Sequence, residues 1–212
     1  MPTKVALRLD SLSCVVESEH GSEPYIWPIM IAEELGIPHM RTPAAQWAAE
    51  ILANEMSAGQ SVLVPAGMDV DLAHEFEDAE RSLVVLIVAL FEKDSSPRHG
   101  SIAVLRHIEE HSLLFVRERL AECRQSSGER NDLRQALIRQ LDVGKAERDA
   151  LSLTDRLTTH LSSGGFDDSI GFTVWTLSGQ ALATRDISFA LDSPSERFTL
   201  TGTLQLSIQP TS

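Results

Sequence analysis

The two ends of the chain share one pattern. "KVALRLDSLSCVV" (4–16) and "RFTLTGTLQLSI" (197–208) both alternate apolar and polar residues with a period of two. That period sends every second side chain to one face, so both ends read as half-buried strands. Between them, "YIWPIMI", "SVLVP", "MDVDL", "SLVVLIVALF", "IGFTVWTL" and "DISFAL" are further strand candidates, separated by Gly, Pro, Ser and Asp. About eight strands make a sandwich the natural architecture. Pro28 has no N–H to give a central ladder, so it calls for a strand edge or a bulge.

Two segments break the β pattern. In "RTPAAQWAAEILANEMSAG", Thr42 is placed to cap, Pro43 suits the first helical position and Gly59 a terminus, which predicts a short helical insertion at about 41–58 with Trp47, Ile51 and Leu52 on its apolar face. A longer insertion at about 100–162 carries Ile102, Leu105, Ile108, Phe115 and Leu120 at helical spacing. After a break at "SSGE" the pattern resumes with Leu133, Leu137 and Leu141. Ser126 and Glu129 have capping-box spacing, so an antiparallel helical hairpin is expected, with Gly144 bending or ending its second arm.

The 212 residues are enough for a real core, and a single domain spanning 1–212 is expected. Cys14 and Cys123 give no disulfide framework. "MPTKVALRLD" lacks a signal pattern, and the apolar run at 83–91 is too short to span a bilayer. A soluble, cytoplasmic chain follows as the expectation, with no transmembrane segment. The net charge of −13 is uneven: residues 101–160 are neutral, so the whole excess lies outside the long insertion. Such a field repels phosphate backbones and anionic lipid, which argues against direct nucleic-acid binding and makes any anionic partner depend on a bridging cation.

Without residues 97–164, "VVLIVALFEKD" runs almost directly into "FDDSIGFTVWTL". The joined text resembles the C2 domains, in which a strand ends in acid-x-acid and the next opens with Asp-x-Ile-Gly. "GSEPYIWPIMI" is similar to that family's Gly-x-Ser-Asp-Pro-Tyr turn and following strand, with Glu23 in place of the usual Asp, and "GTLQLSI" looks like its last strand. The resemblance implies a mainly β fold with helical insertions: an eight-stranded antiparallel C2-like β-sandwich plus an inserted helical hairpin in its third loop. It also implies calcium as cofactor, with Glu17 and Glu23 as first-loop ligands, Glu92 and Asp94 as the acidic pair ending the sixth strand, and Asp168 opening the seventh. Calcium takes six to eight oxygens from flexible loops, and converging carboxylates repel until a cation enters. Glutamate at three of the five positions moves each oxygen outward by a methylene and adds a rotamer to freeze.

Blander readings compete. The five acids also suit solvated loops of an acidic protein. Asp69 and Asp71 in "MDVDL" share one strand face and read as its wet side. "HIEEH" (107–111) has the His-x-x-Glu-His spacing of a zinc-peptidase class, but a helix rich in Arg and Glu produces that spacing by chance, and the surface-histidine reading is preferred. Trp27 and Trp175 read as core or rim residues before a carbohydrate or headgroup platform. Ser11, Ser13 and Cys14 lack any nucleophile context, and "SSGG" (162–165) reads as a linker. The expected function is a non-enzymatic, calcium-responsive docking module, cytoplasmic and peripheral to membranes, which binds acidic lipid headgroups or a protein partner through its acidic loops. The alternative is a calcium-independent assembly subunit that uses the apolar stripe of the inserted hairpin as a protein–protein interface.

Overall fold

The computed structural model describes residues 2–17, 21–93, 98–141 and 168–208. The expected antiparallel sandwich with inserted helices is what it shows, built from two five-stranded sheets. In the first sheet, β1 (Thr3–Val16) lies between β10 (Arg197–Ile208) and two short strands, β4 (Ser61–Leu63) and β5 (Ala73–Phe76), and β9 (Arg185–Asp192) follows β10. In the second, the order is β3 (Ile37–Arg41), β2 (Pro24–Glu34), β6 (Leu83–Glu92), β8 (Asp168–Ser178) and β7 (Gly128–Glu129). Among the described residues there are thus ten strands, where about eight were expected. β3 and the two-residue β7 had no sequence candidate, and β5 starts just after the "MDVDL" one.

The alternation of β1 changes phase, and the structure shows why. Val5, Leu7 and Leu9 point inward, then Leu12 and Cys14 do, because the pairing with β10 slips between Leu9 and Ser11. A bulge of this kind adds one residue and leaves backbone groups unpaired. The Leu9 N–H donates instead to Asp69 Oδ2 at 2.9 Å, and the same carboxylate meets the Arg8 guanidinium at 3.3 Å. Asp69 is therefore a bulge-capping residue in the turn 66–71, and the expectation that it shared a wet strand face with Asp71 is corrected. Across the ladder from Leu9 stands Gly202, where a Cβ would sit 2.3 Å from the Arg8 carbonyl oxygen.

The predicted helix at about 41–58 is also corrected. This segment holds a single 3-10 turn at Ala45–Trp47, and Ala49 and Glu55 adopt positive φ. Beyond that turn its backbone bonds to the start of β2 and the residues before it: Leu52 N–H to the Pro24 carbonyl, and a mutual bridge between Ser22 and Met56. Tertiary pairing overrides helix propensity here, and Leu52 and Met56 drop into the inter-sheet core. Pro28 does find an edge: β3 pairs with β2 only over Met30–Glu34, so at Pro28 that flank of β2 has no strand beside it.

The long insertion forms α1 (Arg98–Glu118), α2 (Leu120–Arg124) and α3 (Asn131–Gln140), and its expected continuation over 142–162, with Gly144, and the "SSGG" linker lie outside the described residues. Ser126 and Glu129 make no capping box. Arg130 precedes α3 without a side-chain cap, and Gly128–Glu129 pair with β8 while the Ser126 carbonyl accepts from Thr176 Oγ1. The helices lie on the outer face of the second sheet. Val104, Leu105, Ile108, Phe115 and Val116 of α1, Cys123 of α2, and Leu133 and Leu137 of α3 pack against Tyr25, Trp27, Ile29 and Ile31 of β2 and Val85, Ile87, Ala89 and Phe91 of β6. The even-numbered residues of the same strands, such as Met30, Leu86 and Leu90, face the first sheet. The molecule thus has three layers and two cores. The apolar stripe that motivated the assembly reading is spent on the chain's own sheet.

Candidate functional site: an acidic pole

Strand direction decides which acids can meet. β1 ends, β2 begins, β6 ends, β8 begins, β9 ends and β10 begins at one pole of the sandwich. The register sets Pro24 opposite Glu92 and Glu92 opposite Asp168, so three of the five expected ligand positions, Glu23, Glu92 and Asp168, close adjacent strands of the second sheet. Neighbouring strands lie about 4.8 Å apart, so these backbone positions span roughly 10 Å. The Lys93 N–H donates to the Glu23 carbonyl at 3.0 Å, which ties the two strand ends together. Asp94 lies outside the described residues, and Asp168 is placed by its backbone alone.

The first sheet contributes from the other side. Val16 pairs with Arg197, so Glu17 and Glu196 flank the same closing pair. Glu196 is nearly buried at 7% exposure and accepts from Ser22 Oγ at 2.9 Å, a bond that joins the two sheets at this pole. Reading the sequence alone missed Glu196. The usable signal was its place in "SPSERF", a tight turn between two strands, together with a β1–β10 register that no single sequence supplies. Asp192, at the end of β9, also belongs to this end, held by Arg134 of α3 at 2.8 Å.

The chemistry of these groups is specific. Glu17 is an anchor: its carboxylate accepts from the Gly21 N–H and, at 3.0 Å, from the Ala58 N–H, tying the β1–β2 loop to the 57–60 turn. Gly21 has φ +91, a conformation that suits glycine in this turn. Lys93 donates to Ser101 Oγ on α1 at 2.9 Å. Burial pushes the Cys14 thiol up, and the Glu17 and Glu196 charges add to the shift. Burial likewise pushes Cys123 up to about 11. Both sulfurs stay protonated near neutral pH and make poor nucleophiles.

Among the described residues, no three His, Cys, Asp or Glu side chains come together in a group able to hold a metal ion. The same holds for "HIEEH". His107 and His111 lie with ring centroids 4.1 Å apart, and Glu109, rather than the motif's Glu110, takes the structural role by accepting from Trp27 Nε1 at 2.9 Å. Burial raises the Glu109 pKa, and bonds from Trp27 and Thr42 oppose the rise. Trp27 lies buried under α1, so it offers no platform. Trp175 is half-buried, with the Arg185 guanidinium 5.9 Å from its ring.

Comparison with known proteins adds little beyond the fold. No family model matches the chain, and no curated protein does. Among solved structures it is similar to a C2 domain of plant extended synaptotagmin 1, at 7% identity, over 99% of this chain and 96% of that one, with a TM-score of 0.34. A superposition this loose leaves the sandwich to stand on its own strand pairing. Among the described residues, no helix is long and apolar enough to cross a membrane.

Proposed function

We propose that the chain is a non-catalytic docking module that holds a positively charged segment of a protein partner at its acidic pole. The observation that carries this is the convergence of Glu23, Glu92 and Asp168 on adjacent strand ends, with Glu196 joined to that end across the sheets through Ser22 and Glu17 beside it at the end of β1. Like charges gathered by a fixed framework create a focused potential, and a cationic segment relieves it without needing the full oxygen shell that calcium demands. The near-neutral helical layer leaves the excess charge of the molecule on the sandwich.

The test uses two probes: calcium alone, and an oligolysine peptide, each followed by calorimetry at low and high salt. The wild-type chain is expected to bind the peptide with strong salt dependence, and the triple variant Glu23→Gln, Glu92→Gln, Asp168→Asn to bind it roughly tenfold or more weakly, since each lost charge pair is worth up to about 1 kcal/mol. Peptide affinity unchanged in the triple variant would reject the pole as the docking site. Calcium heats that vanish in the same variant would replace this reading with the calcium-responsive one, whose next measurement is liposome sedimentation with and without chelator.

A further inference from the structure

An arginine on the core face of a strand needs an acceptor for each N–H that leaves water. Arg185 opens β9 on the face that carries Ile187, Phe189 and Leu191 inward. Its Cζ lies 5.9 Å from the ring centre of Trp175 on β8, the ring that meets Phe189 edge-on at 6.0 Å. Nε and Nη2 of this guanidinium and Nε1 of Trp175 are all shielded from solvent, and none has a hydrogen-bond partner among the described residues. The aromatic face offsets part of the positive charge but offers no oxygen to these N–H groups. The acids close by in sequence or register are engaged elsewhere. Glu129, opposite Trp175 in the ladder, accepts from Thr173 Oγ1, and Asp186 accepts from Thr203 Oγ1, each at 3.4 Å.

We propose that this corner binds the carboxylate of a small free acid. Three donors meet there without an acceptor, the polarity that an oxyanion fits. Nε and Nη2 form the edge of the guanidinium from which two parallel N–H bonds leave, and a carboxylate matches that edge with both oxygens. Its oxygens keep lone pairs for the indole N–H. Charge selects among the oxyanions: one carboxylate neutralises one guanidinium, whereas a phosphate dianion leaves a negative charge in the flank of a chain already at −13. Water satisfies N–H groups but neutralises no charge. The Arg185 side chain is half-buried, so a small acid enters by displacing that side chain rather than by parting the sheets. The corner is independent of the acidic pole, since Asp192 lies at the other end of β9, about 23 Å along the strand, and fields are largely screened beyond about 8 Å at physiological salt.

Acetate is the probe on the full chain, with chloride, phosphate and a capped tripeptide holding one glutamate compared at matched ionic strength. At about ten times its dissociation constant, acetate should raise the unfolding midpoint by roughly 3–6 °C over chloride, with phosphate no better than chloride. The indole N–H resonance of Trp175, assigned by its loss in Trp175→Phe, should shift along the same titration. Arg185→Met keeps an unbranched apolar stem against the ring. It should be at least as stable as the wild type in chloride, because an uncompensated charge is gone, and should lose the acetate response. Arg185→Lys keeps the charge without the two-pronged edge and should bind acetate roughly tenfold more weakly, a second variant should Arg185→Met fail to fold. A midpoint equal in acetate and chloride, or an acetate response that survives in Arg185→Met, would overturn the proposal. So would an Arg185→Met chain less stable than the wild type in chloride, by showing that the chain supplies the acceptor itself. Phosphate as effective as acetate would overturn the carboxylate assignment, and the tripeptide binding as tightly as acetate would hand the corner to a partner's side chain.

Discussion

The two sheets differ in what covers them, and their sequences record the difference. β10 buries Phe198, Leu200 and Leu204 on one face and leaves Thr199, Thr201 and Thr203 half-buried on the other, with nothing layered over them among the described residues. β6 buries nine consecutive residues from Leu83 to Phe91, as does β2 over most of its length. An uninterrupted apolar run in an antiparallel sheet needs a second covering layer, since such sheets normally show one wet face. The odd-numbered residues of β6 and the stripe of α1 are the two halves of one interface. The long insertion is thus a structural layer first, whatever else it does.

The largest effect should come from breaking that layer. Phe115→Ala removes a fully buried ring between α1 and the second sheet, and is expected to cost about 3–5 kcal/mol in denaturant unfolding. Thr199→Ala, on the bare face of the first sheet, should cost about 1 kcal/mol or less. Similar losses at the two sites would mean that the helices rest on the sheet without stabilising it. The open sheet has its own weak point in Gly202→Ala. The new Cβ meets backbone at 2.3 Å, which no side-chain rotation relieves, and about 2–3 kcal/mol of destabilisation should appear in the same assay.

A smaller effect probes the corner where helices and covered sheet are bonded by charge. Glu33 is fully buried in β2 and accepts from the Gly36 N–H and from the partly exposed Arg124 of α2, whose other nitrogen donates to the Arg81 carbonyl at 3.0 Å. Removing one partner of a buried pair strands the other charge. Arg124→Met should cost about 1–2 kcal/mol, reduced from the fully buried case because water reaches the guanidinium, and adding Glu33→Leu should restore part of the loss. A double variant no more stable than Arg124→Met alone would show that the carboxylate is stabilised by the turn rather than by the helix.

Local periodicity made the strands readable, and the same periodicity found the stripes of α1 and α3. It failed where distant partners decide. Residues 42–59 have capping residues and apolar spacing fit for a helix, yet the N–H groups of Leu52 and Met56 are claimed by the carbonyls of Pro24 and Ser22. Asp69 and Asp71 alternate like strand residues, yet a bulge at Leu9 draws the Asp69 carboxylate into a turn. For the pole, "EPY" and "DDSIG" named the right strand ends by resemblance. Glu196 went unseen because its neighbour Ser22 is 174 residues away in sequence. Glu17, an expected ligand position, also serves its loop as the acceptor for two backbone N–H groups, a demand visible only once the loop is folded.

The smallest effect separates the two flanks where the sheets meet. One flank is tied by charge, Arg134 to Asp192. The other is closed by two imidazoles: His39 of β3 stacks on His74 of β5 with centroids 5.0 Å apart, and Phe76 lies edge-on 4.8 Å from His74. Burial pulls the His74 pKa below the ordinary imidazole value of 6.5, and the nearby His39 and Arg41 pull it further, against Glu34 and Glu75. The unfolded chain therefore binds the proton more readily than the folded one. Stability from this group is complete above pH 6.5 and is lost as pH falls from there toward the depressed folded value. Unfolding midpoints measured between neutral and mildly acidic pH should fall on acidification, and His74→Phe, which keeps an aromatic ring in the stack, should flatten that part of the profile. A slope that survives in His74→Phe would place the acid sensitivity outside this imidazole stack.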